Sequence, residues 1–309
     1  MNLGVRMKNI IAIDLGSNSL RILKMHCESK QSLGEFHKTV KTADGLAKTG
    51  KINDAAIARV VAGLNEAKKE LDFSDAKVKA VTTEAIRQAS NGLEVLISIS
   101  KQTGVAFEVI DGDTEAKYAL RAVQNRLAIL EKAPKSFMMV DIGGGSTEML
   151  FYYGEKYFSK SFKVGIVTVT QKFNSLDEIS KAIPELMHEM RDYFDEVTKE
   201  HGGVELFVAT AGTPTTIAAM KKGMEYATYD AKKIHGTMLS QNDLHEKLNE
   251  LIEMSQEERV TAVGVGRDDL IASGVLIYDE LYNISGFKES MVIDDGIREG
   301  VAFDECCGL

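Results

Sequence analysis

The sequence predicts an α/β protein built from two related domains. A strand-loop-strand unit occurs twice, helical and strand periodicities alternate along the chain, and 309 residues with 44% hydrophobic content suffice for two ordinary cores. The first copy, residues 10–24, reads IIAIDLGSNSLRILK, and the second, residues 137–152, reads FMMVDIGGGSTEMLFY. Setting Asp14 on Asp141 aligns Leu15 with Ile142, Gly16 with Gly143 and Ser19 with Ser146, all at an offset of 127 residues. One device written twice implies two copies of one domain.

Each element has its own local cause. The first copy supplies two apolar, alternating strands. A third strand is expected near Glu35–Thr42, then a helix capped by Asn53 that lines up Ile57, Val60, Val61, Leu64 and Leu71. Strand 77–83, helix 93–102, strand 107–110 and helix 114–130 follow, giving the order βββαβαβα. In the second copy a hairpin turns through Tyr153-Gly154-Glu155-Lys156. Helices around 177–199, a strand at 205–209, further helices to Gly286 and a short strand at 291–294 complete it. Helix periodicity ends at Pro134, so the expected domains are 1–130 and 131–309.

Composition narrows the function. A net charge of −9 argues against a nucleic-acid or anionic-membrane partner, because phosphate backbones are held by surplus Lys and Arg. An acidic chain can still hold a polyanion where backbone N–H groups and a few Arg side chains concentrate. The apolar run after Arg6 and Lys8 is broken at Asp14, too early for a signal-peptide core, and no stretch approaches the ~20 apolar residues of a membrane span. Cys27, Cys306 and Cys307 show no metal-ligand spacing, so a reduced cytoplasm is the expected compartment. None of the six His lies at ligand spacing from another.

The two loops carry the chemistry. Gly serves tight turns with or without a ligand, which is an adequate reading of DLGSNS alone. Three consecutive glycines in DIGGGST cost backbone entropy and add no packing, so they fit a place where backbone closely approaches a ligand. The N–H groups of Gly16, Ser17, Asn18 and Ser19 and of Gly143, Gly144, Gly145 and Ser146, with the Ser146 and Thr147 hydroxyls, can ring a phosphate. This layout resembles the actin-like ATPase, sugar kinase and Hsp70 superfamily. That implies two related actin-like (ribonuclease H-like) domains flanking a central cleft.

More specifically, the chain resembles the exopolyphosphatase/guanosine pentaphosphate phosphatase (Ppx/GppA) family at six places in order. These are IDLGSNSLR at 13–21, TTEAIRQASN at 82–91, VIDGDTEAKYA at 109–119, VDIGGGSTE ending in Glu148, TAGTPTTIA at 210–218, and the pair ERVTAVGVGRDDLIASG from Glu258 and DDGIREG from Asp294. Glu84 departs from the family, which often has Ser or Ala there, and 261–265 lacks a common proline. Longer members carry an additional helical domain; the resemblance here covers their catalytic pair.

The resemblance implies a magnesium-dependent hydrolase acting on inorganic polyphosphate or guanosine pentaphosphate. A homodimer is a candidate assembly. It makes Arg87 and Arg267 phosphate contacts, suited by their planar forked donors. It makes Glu115 the carboxylate that prepares the attacking water. On residues alone, Glu115 is also an ordinary acid in the first turn of a helix capped by Asp113. Glu148 aligns with Arg21 in the repeat, so the copies diverge there and an acidic role belongs to the second loop. Asp141 and Glu148 are the candidate Mg2+ ligands, since magnesium takes few carboxylates and completes its shell with water and substrate oxygens. Two other functions remain open at this point: an ATP-dependent kinase with a nucleoside site near 210–218, and a non-enzymatic nucleotide-binding regulator.

Overall fold

The computed structural model describes residues 8–307 and divides into two compact units. One comprises the described residues up to Gln124 together with those from Asp295; the other runs from Asn125 to Asp294. The basic start around Arg6 lies outside the described residues.

The first unit begins with the expected three strands, β1 (Asn9–Leu15), β2 (Ser19–His26) and β3 (Gln31–Thr39), the last starting earlier than the sequence suggests. A single turn, α1 (Leu46–Thr49), precedes α2 (Asp54–Glu70), whose first amides are met by the Asn53 side chain accepting from Ala56 N. Then come β4 (Ala76–Thr82), the short α3 (Glu84–Gln88), α4 (Gly92–Thr103), β5 (Phe107–Val109) and α5 (Gly112–Ile129). The sheet order is β3-β2-β1-β4-β5, with β1, β4 and β5 parallel and the β1-β2-β3 meander antiparallel.

Strand alternation splits β1 between two cores. Ile11, Ile13 and Leu15 pack with Val60, Leu64, Val95 and Ile99 from α2 and α4. Ile10 and Ala12 turn the other way, onto Tyr118 of α5 and Val301, Ala302 and Phe303. Those last residues belong to α14 (Ile297–Cys307), the final described helix, which covers β1 and β2. The expected boundary left this segment in the second domain. The structure corrects that: its apolar stripe completes the first unit's second core, and Cys27 at the end of β2 is disulfide-bonded to Cys306. A separation of 279 residues hides that pairing from a spacing argument; Cys307 is free and exposed.

The second unit repeats the plan with additions. Its strands are β6 (Ser136–Ile142), β7 (Thr147–Tyr153), β8 (Lys156–Phe162), β9 (Leu206–Thr210), β10 (Thr237–Ser240) and β11 (Glu289–Val292). The order β10-β11-β9-β6-β7-β8 matches the first sheet strand for strand, with β10 added antiparallel at the edge. Helices α6 (Ile166–Lys172), α7 (Leu176–Leu186) and α8 (His188–His201) follow β8, and α9 (Gly212–Lys221) and α10 (Ala231–Ile234) follow β9. Between β10 and β11 come α11 (Gln241–Glu253), α12 (Gln256–Val263) and α13 (Ile271–Ser285). One core gathers Met138, Val140, Ile142, Phe207 and Ala209 against these helices. No described helix is long and apolar enough to cross a membrane.

Candidate active site

In both units the loop joining the first two strands is tied back by its carbonyls. In the first, Val40 N and Lys41 N donate to the Asn18 carbonyl, both at 2.9 Å, and Ala43 N donates to the Ser17 carbonyl at 2.8 Å. A trans peptide points its N–H opposite to its C=O. With the Ser17 and Asn18 carbonyls turned into the fold, the N–H groups of Asn18 and Ser19 point the other way. Ser17 and Asn18 are exposed, and the loop closes on itself through Gly16 N to the Ser19 carbonyl, 3.0 Å.

The second loop uses the start of α6 for the same purpose. Ile166 N donates to the Gly143 carbonyl at 3.0 Å and Val167 N to the Gly144 carbonyl at 2.8 Å, aiming the Gly144 and Gly145 amides outward. Gly143 N closes the turn onto the Ser146 carbonyl at 2.9 Å. Gly165 makes this approach feasible: a Cβ there would stand 2.5 Å from both the Gly144 oxygen and the Ser146 nitrogen. Thr147 corrects the expectation of a hydroxyl ligand. It is fully buried and its Oγ1 donates to the Val164 carbonyl at 2.7 Å, so it braces the loop.

The carboxylates also fall into place by register. Asp141 on β6 stands opposite Glu148 on β7. Ser146 Oγ and Ser161 Oγ both donate to Glu148 Oε1 at 2.7 Å, fixing that side chain beside the glycine loop. Among the described residues no group of three or more His, Cys, Asp or Glu is arranged to hold a metal. A cation held by Asp141 and Glu148 would have to draw the rest of its shell from water and phosphate oxygens, as magnesium does.

Glu115 lies in the first turn of α5 and is half-buried, but the helix start is not capped as expected. Asp111 rather than Asp113 does it: Thr114 N donates to Asp111 Oδ1 at 2.8 Å and Glu115 N to the Asp111 carbonyl at 2.9 Å. The Thr114 hydrogen bonds hold the Asp111 carboxyl below its usual range. Arg87, on α3, is engaged: its guanidinium pairs with Glu84, with Nε at 2.9 Å from Oε2, and Nη1 donates to the Ile110 carbonyl at 2.6 Å. The family departure at position 84 therefore places a carboxylate on the candidate phosphate-binding arginine. Arg267 lies half-buried in the turn between α12 and α13, where Asp268 Oδ1 accepts from Gly266 N at 3.0 Å. The Thr-rich stretch after β9 is packed inside: every residue from Thr213 to Met220 is buried, which leaves little room for a nucleoside.

The first unit thus carries Gly16–Ser19, Arg87 and Glu115, and the second carries Gly143–Ser146, Asp141, Glu148 and Arg267. Residue typing missed one buried ionic group, Arg298–Glu299 at the start of α14. Its signal was present in the sequence as IREG, but nothing local shows that this helix returns to β1.

Known proteins resemble this chain over nearly its whole length. Exopolyphosphatase 2 of Mycobacterium tuberculosis is 30% identical over 317 aligned residues, covering 95% of this chain and 97% of that protein. A family member from Aquifex aeolicus, known from its crystal structure, is 30% identical and superposes with a TM-score of 0.76 over 97% of this chain and 98% of its own. An exopolyphosphatase from Cytophaga hutchinsonii shares the fold at a TM-score of 0.82 and 21% identity, over 97% and 98% of the two chains. Residues 22–307 match the description of the Ppx/GppA phosphatase family, and the chain belongs to that family.

Proposed function

We propose that the chain is a phosphoanhydride hydrolase that releases terminal orthophosphate from inorganic polyphosphate or guanosine pentaphosphate by attack of water. The observation that carries this is the pair of carbonyl-anchored loops, each presenting consecutive outward amides, with the in-register Asp141–Glu148 carboxylates at the root of the second. Phosphoryl transfer needs positioning and charge neutralisation more than covalent help. The Asn18, Ser19, Gly144 and Gly145 amides would bind phosphate oxygens, and Arg87 and Arg267 would add forked cationic donors. Glu115 would orient the attacking water and accept its proton. Asp141 and Glu148 would hold Mg2+, whose charge offsets that gathered on the transferring phosphoryl group.

The polyphosphate reading draws on the name borne by the Mycobacterium tuberculosis relative. The test offers purified protein long-chain polyphosphate, tripolyphosphate or guanosine pentaphosphate with Mg2+, without any acceptor or other nucleotide. Orthophosphate release from at least one is expected, and release from none would overturn the reading.

A further inference from the structure

Strand alternation sets Asp14 on the same face of β1 as Ile10 and Ala12, the face that α14 covers. Arg21 stands opposite Asp14 on β2 and shares that face with Leu23 and Met25. The helix is pinned at its far end by the Cys27–Cys306 bond and pressed at its near end against α5, where a Cβ on Gly300 would collide with the Tyr118 carbonyl. Its first turn is thereby held near the Asp14–Arg21 end of the sheet, the end from which the Gly16–Ser19 loop leaves β1.

That first turn is charged and buried. Glu299 is 6% exposed; Gly296 N donates to its Oε2 at 2.8 Å and Arg298 Nε donates to its Oε1. Arg298 Nη2 reaches Glu35 Oε2 on β3 at 2.7 Å, anchoring the pair to the sheet. Asp14 Oδ1 is buried and accepts no hydrogen bond. A buried ionic group is seldom retained for stability, since well-packed apolar residues serve as well or better. Here the group sits at the root of a phosphate loop.

We propose that the Arg298–Glu299 pair is a positioning unit for the first phosphate loop, acting on substrate through the Asp14–Arg21 pair. This inference rests on the phosphatase reading above. Glu299 sets how readily Asp14 carries its charge beside the loop that must receive an anion. Burial pushes Asp14 up to about 6, with Arg21 opposing, Glu299 adding to the rise and Arg298 opposing. Burial likewise pushes Glu299 to about 7, against Arg298 and with help from Asp295. The other charges around this face are accounted for. From β4, Lys77 pairs with Glu305 at 2.6 Å and Lys79 with Glu305 at 3.7 Å, at the opposite end of α14. From α5, Tyr118 packs against this face.

Two readouts test this. In the first, the Asp14 carboxyl is titrated by carbon-13 NMR, assigned by difference against D14N, in the wild type, E299Q and E299D. Removing the like charge leaves Arg298 less neutralised, and both effects favour ionised Asp14. Its midpoint should therefore fall by about half a unit or more in E299Q and stay near the wild-type value in E299D. In the second, the pH at which KM responds to Asp14 ionisation should fall in E299Q by a similar amount, with E299D retaining the wild-type profile. An unmoved Asp14 midpoint overturns the proposal, as does an E299D that behaves like E299Q, or a rate lowered equally at every pH. The NMR arm needs no activity, so an inactive wild type sinks the phosphatase reading while the coupling is still measured.

Discussion

Asp141 faces Glu148 across the β6–β7 hairpin at the register where the first unit places Asp14 opposite Arg21. The same backbone device thus carries a like-charged pair in one copy and an opposite-charged pair in the other. Like charges set directly across a ladder are destabilising, and the proposed Mg2+ would offset the second pair. E148Q should raise the Mg2+ concentration for half-maximal activity by about tenfold or more, since even outer partners of metal ligands cost that much when removed. Excess chelator should abolish wild-type turnover. A metal titration of both proteins checks this, and superposed curves would remove Glu148 from the metal.

Glu115→Gln keeps volume and hydrogen bonding but cannot take a proton. Turnover should fall by about 10²–10⁴-fold, the range a general base supplies. The melting temperature should hardly move, because Asp111 caps the helix. Turnover and melting measured on one preparation separate a base from an ordinary helix-start acid.

Glu84 pairs with Arg87, the arginine proposed to bind phosphate, and would compete with that ligand. Both side chains are exposed, where an ion pair contributes about 0–1 kcal/mol. E84Q should therefore lower KM by up to about fivefold with kcat little changed, while R87Q should raise it. Steady-state kinetics of the two variants decide it, and an E84Q with raised KM would remove Arg87 from the binding site.

Gly165→Ala forces a methyl group against the backbone of the second loop. Overpacking of this kind costs about 1–3 kcal/mol. The clash falls on Gly144 and Ser146 themselves, so activity should be lost at temperatures where the variant is still folded. Circular dichroism beside a phosphate-release assay would show it, and an active variant would mean that the loop tolerates displacement.

The Cys27–Cys306 bond ties β2 to α14 within one unit. Its loss through C27S should lower stability by about 2–4 kcal/mol, the usual range for a native disulfide. Denaturant melts with and without reductant would give the value; wild-type and C27S curves that agree without reductant would argue that the bond is not formed in solution.

Much of this molecule is written locally. The alternation of 10–24, the Asn53 cap and the repeat at an offset of 127 residues predict strands, helix and duplicated topology, because each depends on neighbours a few residues apart. The loop amides were legible from Gly and Ser spacing for the same reason. What stayed hidden depends on distant partners. Thr147 reads as a free hydroxyl until β8 brings the Val164 carbonyl to it. Arg87 reads as available until Glu84 is seen turned back onto it. Residues 295–307 fall with the second domain in a sequence reading because nothing within them records that their apolar stripe fits β1.

That returning helix bears on how the protein is made. Translation delivers residues 125–294, a complete unit, before the chain can supply α14 to the unit it began with. Domains are ordinarily completed in the order of synthesis. Here the order is inverted: the second unit can close while the first still exposes Ile10, Ala12, Leu23 and Met25 to solvent. The opening domain must wait, apolar face uncovered, until residues 297–307 emerge from the ribosome, and that interval is when a chaperone would be needed.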